Sequence, residues 1–240
     1  MGGGDGSLAP VASVALERDL PFVCIPLGTR NHFATDLGIQ VDDPLAALAA
    51  FRGRERRVDV GKVAERVFLN NVSLGLYASF VNDPQRKTRN RLVAFMRMVP
   101  AALGRSRTPL DVAFEAEGTR EHRAALIVLV ANNQYQVETL AELGERPRLD
   151  EGRLHAYVIE AVSRRALLGL LAKAAFGDVE AAEGFVEWAA PRLTVDLPDH
   201  RIHAALDGEP AVLEAPLDFE VEPRALRVLV PPAGTQDGVE

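Results

Sequence analysis

Residues 20–38, LPFVCIPLGTRNHFATDLG, decide the fold of this 240-residue chain. Residues 20–26 are an unbroken apolar run containing Phe22, Val23 and Ile25, with no alternation of polar positions. A strand apolar on both faces belongs inside a parallel sheet. The turn Gly28-Thr29-Arg30-Asn31 follows, then a short helix over residues 33–37 that Gly38 terminates as a C-cap. Strand, turn and helix in that order indicate α/β architecture. Upstream, Gly2-Gly3-Gly4-Asp5-Gly6 is expected to be irregular, with Ser7 as N-cap and Pro10 in the first turn of a helix running to about Leu16. Downstream, Asp43 caps a helix over residues 44–51.

After Gly53 the pattern turns to β. Strands are expected at residues 57–63 and 66–74, then a helix over 84–103 with Leu92, Phe95, Met96, Val99 and Leu103 on one face. Residues 110–115 and 123–131 form a hairpin around Glu117-Gly118. A strand over 154–162 precedes a helix over 164–176 capped by Ser163, and further strands fall at 193–197, 202–206, 217–221 and 226–230. Many strands with two inserted helices predict an antiparallel sandwich or barrel as a second domain.

Composition narrows the function. With 48% hydrophobic residues the chain can bury one or two cores. A formal net charge of −7 argues against general binding to nucleic acid. The basic stretch Arg86, Lys87, Arg89, Arg91, Arg97, Arg105 and Arg107 reads as a solvated helix face or as a contact for an anion or a membrane surface. The single cysteine, Cys24, lies in the apolar run and reads as a buried thiol in a reducing compartment. Residues 1–10 lack the features of a signal peptide, and the longest apolar run, residues 124–131, is too short to cross a bilayer. The expected location is cytoplasmic, with any membrane contact peripheral and at the inner face. Association with further copies is left open.

Two turns have the chemistry of anion sites. In GGGDGS (2–7), glycines let backbone N–H groups converge, and a helix start adds positive potential. The alternative reading is a flexible glycine-rich terminus. Asp5 would be unwelcome beside phosphate unless Mg²⁺ or a water lay between. In the 26–34 turn, Gly28 permits close approach, Thr29 and Asn31 offer a hydroxyl and an amide, and Arg30 a guanidinium. An ordinary strand-to-helix turn is the alternative there. Two such turns flanking a helix and a strand reach the same sheet edge, where α/β proteins bind ligands. Far downstream, Asp207-Gly208-Glu209 is either a solvated hairpin tip or, facing those turns, a place for Asp207 to take a proton from a hydroxyl. Asp150-Glu151 offers oxygens to a hard cation but too few to define a site. The five histidines (32, 122, 155, 200 and 203) have no tight metal-binding spacing.

The ordered set GGGDGS (2–7), PLGTRNHFATDLGI (26–39), VANNQYQ (130–136), LDEGRL (149–154), ALDGE (205–209) and EVEPRALRVLVP (220–231) resembles bacterial diacylglycerol kinases and YegS-like lipid kinases, with sphingosine and ceramide kinases as relatives. The resemblance spans residues 2–231. It implies a partial Rossmann-like nucleotide-binding domain over residues 1–55, a C-terminal β-sandwich or barrel-like lipid-binding domain over 56–230, and a loose tail over 231–240. It implies transfer of the γ-phosphate of ATP to the hydroxyl of a lipid such as diacylglycerol, with ATP and Mg²⁺ as cofactors. Gly3, Gly4, Asp5, Gly6 and Ser7 match the nucleotide loop, and Gly28, Thr29 and Asn31 the second phosphate-side turn. Asp207 matches the base, Glu209 stands beside it, and Glu151 matches a metal-binding acidic position. Ser7 stands for the usual Thr, His32 for a common Asp and Glu151 for Asp. Relatives carry two further strand–helix units before the glycine loop. The expectation is therefore a nucleotide domain lacking its N-terminal part, the alternative function being a weak or inactive lipid- or nucleotide-binding remnant.

Overall fold

A computed structural model gives the structure and describes residues 1–29, 31–75, 109–139, 142–160, 163, 165–166, 169, 173 and 183–232. The helix expected over 84–103, the basic stretch 86–107, Arg30 and the tail from 233 lie outside the described residues. So does most of the helix expected over 164–176, although Arg165, Ala166, Gly169 and Lys173 are helical and Ser163 Oγ accepts the Ala166 N–H at 3.1 Å.

The chain begins with β1 (Gly2–Gly3), α1 (Asp5–Glu17), β2 (Phe22–Val23), β3 (Ile25–Pro26) and α2 (His32–Asp36). The apolar run is buried and paired in parallel as expected, but it is two two-residue strands in different sheets rather than one strand. β3 pairs in parallel with β1, and β2 pairs in parallel with a late strand of the chain. The glycine loop departs from expectation in two ways. Gly2 and Gly3 are regular structure, which gives the loop a strand to hold it. The helix also starts at Asp5, with Gly4 as N-cap in extended conformation, so Ser7 is not the cap and Pro10 falls in the second turn. The Ser7 hydroxyl instead turns back to donate to the Gly4 carbonyl at 2.8 Å. Gly38, at φ +76°, ends α2 as expected. Asp43 Oδ1 accepts the N–H groups of Leu45 and Ala46, but the element it starts is a 3-10 helix over Ala46–Arg52.

The β region comprises β4 (Arg54–Val63), β5 (Arg66–Phe68), β6 (Asn71–Gly75), β7 (Leu110–Ala116), β8 (Thr119–Asn132), β9 (Val137–Thr139), β10 (Glu142–Leu143), β11 (Leu154–Glu160), β12 (Phe185–Ala190), β13 (Arg192–Asp196), β14 (Arg201–Leu206), β15 (Glu209–Glu214) and β16 (Leu217–Val230). The β7–β8 hairpin turns at Glu117-Gly118 as read from the sequence. The strand expected over 66–74 is two strands, interrupted at Leu69-Asn70 because those backbone N–H groups are drawn away to Asp207. The strands expected at 217–221 and 226–230 are one, β16, carrying an irregularity between Glu222 and Leu226 where Arg224 has φ +52°.

The main sheet runs β15-β14-β6-β8-β7-β13-β16-β4-β5 and curls, with β11, β12 and β2 attached off that path. β8 makes the curl: Ala125 sits between Leu110 of β7 and Glu160 of β11, whereas Val128 sits between Leu74 of β6 and Val158 of β11. The sandwich interior holds Phe68, Leu74, Val130, Val158, Leu217 and Phe219. A second core lies beneath α1 and α2, where Leu8, Ala12 and Ala15 on one face of α1 meet Phe22, Phe33 and Leu149. Leu226, Val228 and Val230 of β16 complete it. The fold is thus mixed α/β with a β-sandwich, as the sequence indicates. Between the two cores the α1 start, the α2 start and the β14–β15 hairpin tip converge.

Candidate functional site

A cavity of about 420 Å³ lies at that convergence. Its walls are Gly4 to Ser7 at the start of α1, the Gly28-Thr29 turn with His32, the corner at Asn70-Asn71, Tyr135, and the hairpin tip Asp207-Gly208-Glu209. Of the residues singled out in the sequence, Gly4, Asp5, Gly6, Ser7, Gly28, Thr29, Asp207 and Glu209 line it, whereas Gly3, Asn31 and Glu151 do not.

The two glycine turns touch. A Cβ on Gly28 would run into Gly4 Cα and lie 2.8 Å from Asn31 Oδ1. The obstacle is backbone, which cannot swing aside. Gly28→Ala is therefore expected to destabilise the fold by about 1–3 kcal/mol, as overpacking does elsewhere, read as a lower thermal midpoint. Asn31 explains why it is not in the cavity: its Oδ1 accepts the Gly28 N–H at 2.8 Å and its Nδ2 donates to the Gly28 carbonyl at 2.9 Å. It closes the turn as a staple, with its own backbone left-handed at φ +54°.

Asp5 also differs from its sequence reading. Its carboxylate accepts the N–H groups of His32 and Phe33, both at 3.0 Å, and the Asn70 side-chain amide at 3.1 Å. It caps α2 from α1, so its charge sits against a helix start that offsets it. Of the first-turn N–H groups of α1, that of Ser7 donates to the Gly4 carbonyl at 3.0 Å, while those of Asp5 and Gly6 have no acceptor within the helix and belong to residues lining the cavity. Cys24 lies close behind. Burial and the charge of Asp5 push its thiol up to about 12, in keeping with an inert core residue.

Opposite stands Asp207, only 8% exposed. Asp207 and Gly208, at φ +47° and +83°, are the two central residues of the β14–β15 hairpin, both in the left-handed region that a tight two-residue turn requires. The tip folds inward. Asp207 Oδ2 accepts the Leu69 N–H at 2.9 Å, and Oδ1 those of Asn70 at 2.8 Å and Asn71 at 3.0 Å. The Asp207 N–H returns a bond to the Asn71 carbonyl at 2.9 Å. Burial raises its carboxyl pKa to about 6 despite the three N–H donors, and the Asp5 charge adds to the rise. The protonated form is thus favoured in the fold. Stability from this group is fully present below the ordinary value of 3.8 and is lost as pH rises through about 6. Glu209 is exposed and leans over Gly6. Tyr135, 3% exposed, accepts the Asn71 Nδ2–H at 3.1 Å, and burial holds its phenol neutral by raising it to about 12.

Glu151 belongs to a separate network. Its Oε2 accepts the Gln134 N–H at 3.1 Å and lies 3.5 Å from His155 Nε2, whose Nδ1 meets Glu187 at 2.8 Å. Among the described residues no group of three His, Cys, Asp or Glu side chains is arranged to hold a metal. The loop carrying Glu151 is held by Asp59, 1% exposed, which accepts the Gly152 N–H at 2.6 Å and the Arg224 N–H at 2.7 Å.

Several residues of this region escape a reading of the sequence: Asn70, Asn71, Asp36, Asp59 and Arg146. An Asn-Asn pair inside an apolar run is the one signal that marks the 70–71 corner. Nothing in the sequence around Arg146 distinguishes it.

The sequence and the fold are similar to those of known proteins. The description "Diacylglycerol kinase catalytic domain" matches residues 1–63, and "YegS C-terminal NAD kinase beta sandwich-like domain" matches residues 70–230. A probable lipid kinase YegS-like protein of Pseudomonas aeruginosa is 31% identical over 243 residues, covering 96% of this chain and 75% of the relative. One from Pseudomonas fluorescens is 30% identical over 234 residues, covering 96% and 76%. A solved diacylglycerol kinase from Bacillus anthracis superposes with TM-score 0.67 at 18% identity over 95% of this chain and 74% of that one. A second solved chain of that organism reaches TM-score 0.74 at 20% identity, covering 95% and 75%. Those two likenesses concern the fold alone. The chain belongs to the YegS-like lipid kinases, enzymes built from a diacylglycerol kinase catalytic domain and a β-sandwich-like C-terminal domain.

Proposed function

We propose that this chain transfers the γ-phosphoryl group of ATP to the hydroxyl of a lipid such as diacylglycerol. The observation that carries the reading is the pairing of Asp207, a buried carboxyl with a pKa near 6, with the open start of α1 and the Gly28-Thr29 turn across one cavity. Residues 1–55 would serve chiefly the nucleotide and residues 56–230 the lipid.

ATP fits the residues present. The Asp5 and Gly6 N–H groups at the start of α1 suit a phosphate, and at the Gly4–Gly28 contact backbone meets backbone with no Cβ between them, while the Glu209 side chain lies over Gly6. Thr29 and Ser7 add hydroxyls at the rim. Mg²⁺ fits as an ion carried largely on phosphate oxygens and water, with Glu209 the exposed carboxylate able to reach it; when bound it would neutralise phosphate charge. Asp207 would accept the proton of the lipid hydroxyl as its oxygen bonds to phosphorus and ADP leaves. Asn71 and Tyr135 fix the wall beside it. The lipid would be met at the membrane surface by peripheral contact.

Radiolabelled ATP, Mg²⁺ and diacylglycerol in mixed micelles test this. The expected result is label in the lipid product, dependent on Mg²⁺. A folded protein that binds Mg-ATP yet labels no lipid alcohol would leave the non-catalytic binding reading in its place. The base also sets a pH profile. It acts only when deprotonated, so the rate should rise with pH through a midpoint of about 6. A flat rate between pH 5 and 7, roughly a unit either side of that midpoint, would remove Asp207 from the role.

A further inference from the structure

Among the described residues Arg146 is the largest fully buried side chain, and its guanidinium is entirely inaccessible. Every N–H of its fork is engaged. Nε donates to Asp36 Oδ2 at 2.8 Å, and Nη2 lies 2.7 Å from the same oxygen. Nη1 donates to the carbonyls of Leu69 at 2.6 Å and Asn132 at 2.9 Å, and Nη2 donates to Asn70 Oδ1 at 2.6 Å. The Tyr135 ring lies 5.3 Å away across its face. An apolar residue of similar volume would often serve stability as well as a buried ion pair, so the contacts themselves must say what this one does.

Two of those contacts lead to the cavity. The Leu69 carbonyl that receives Arg146 belongs to the same peptide group as the Asn70 N–H, which donates to Asp207 Oδ1. The Asn70 side-chain carbonyl that receives Arg146 belongs to the same amide as Nδ2, which donates to Asp5 Oδ1. One cation is therefore joined through one amide to each of two cavity carboxylates. Hydrogen bonds in such a chain polarise one another, and the low dielectric of the interior strengthens them. We infer that Arg146 is a positioning residue: its guanidinium, one amide behind Asp207, holds the 69–71 corner in place and keeps the carboxylate aimed into the cavity. It touches neither substrate. The inference rests on the proposed phosphoryl transfer for its kinetic readout, but it also has a readout that does not.

The charged and titratable groups facing Asp207 are Asp5 at the start of α1, His32 at the start of α2, Glu209 on β15, Tyr135 and Arg146, with Asp36 behind Arg146. Two variants move this charge in opposite senses. Arg146→Lys keeps a cation for Asp36 but has too few donors, wrongly arranged, to hold both amides. Asp36→Asn leaves the guanidinium contacts to Leu69 and Asn70 while removing its counter-charge. The Asp207 carboxyl is followed by carbon-13 NMR titration, and the kinetics by the labelled-lipid assay. In Arg146→Lys the midpoint is expected to rise by roughly half a unit to a unit, and in Asp36→Asn to fall by a similar amount. In Arg146→Lys kcat should drop on the order of tenfold to a hundredfold, with KM for Mg-ATP little changed.

A folded variant of either kind in which the Asp207 midpoint stays put overturns the inference, and so does failure of both variants to fold, which would make Arg146 a stability element only. If wild-type protein transfers no phosphate, the proposed function fails, yet the NMR titration still decides what Arg146 does.

Discussion

Asp207→Asn is expected to lower kcat for lipid phosphorylation by roughly 10²–10⁴-fold, the range for loss of a general base. The effect on Mg-ATP affinity should be no more than a few-fold, because the α1 start and the Gly28 turn lie on the opposite wall. The geometry also gives a stability cost. The carboxamide oxygen can still accept from Asn70 and Asn71, but its NH₂ then faces the Leu69 N–H, donor against donor. One orphaned buried donor costs about 1–3 kcal/mol, which for a chain of this size lowers the thermal midpoint by a few degrees. Kinetics and thermal unfolding of the same preparation separate the two. A lowered midpoint with full activity would make Asp207 a purely structural tie.

Asp59→Ala should be the most damaging single change away from the cavity. Asp59 joins three segments at once: its own strand β4, the loop at Gly152 and the irregular point of β16 at Arg224. Truncation strands two partly buried N–H groups, each worth at most about 1–3 kcal/mol, so a loss of roughly 2–4 kcal/mol is expected. Urea unfolding should show a lower midpoint with an unchanged slope. Asp59→Asn should recover part of the loss by restoring one acceptor. Because Asp59 does not line the cavity, turnover per folded molecule should change little; a hundredfold loss would tie the Gly152 loop directly to the reaction.

What could be read in the sequence depended on how local its cause was. The buried extended run at 20–26, though not its division between two sheets, the turn after it and the hairpin at Glu117-Gly118 were legible because an apolar run or a turn dipeptide creates each within a few residues. β15 was not, since Glu209-Pro210 opens it and proline argues against a strand; at the end of the sheet order, where one side is unpaired, that proline is tolerated. The break at Leu69-Asn70 was hidden because its cause, the Asp207 carboxylate, lies more than a hundred positions away. Convergence of the glycine turns with Asp207 followed from resemblance and not from spacing. The place of Arg146 followed from neither, because its five contacts come from Asp36, Leu69, Asn70 and Asn132, none near it in the chain.

β16 has a consequence for how the molecule is made. Its last residues, Leu226, Val228 and Val230, fill the space between Leu8 and Phe22, and its pairing with β2 ties the closing strand to one of the first. On the ribosome, the apolar face shared by Leu8, Phe22 and Phe33 is therefore made well before the β16 residues that complete its packing. That core closes only once β16 has been synthesised, so its completion depends on contacts about two hundred positions apart in the chain, a late step in assembly.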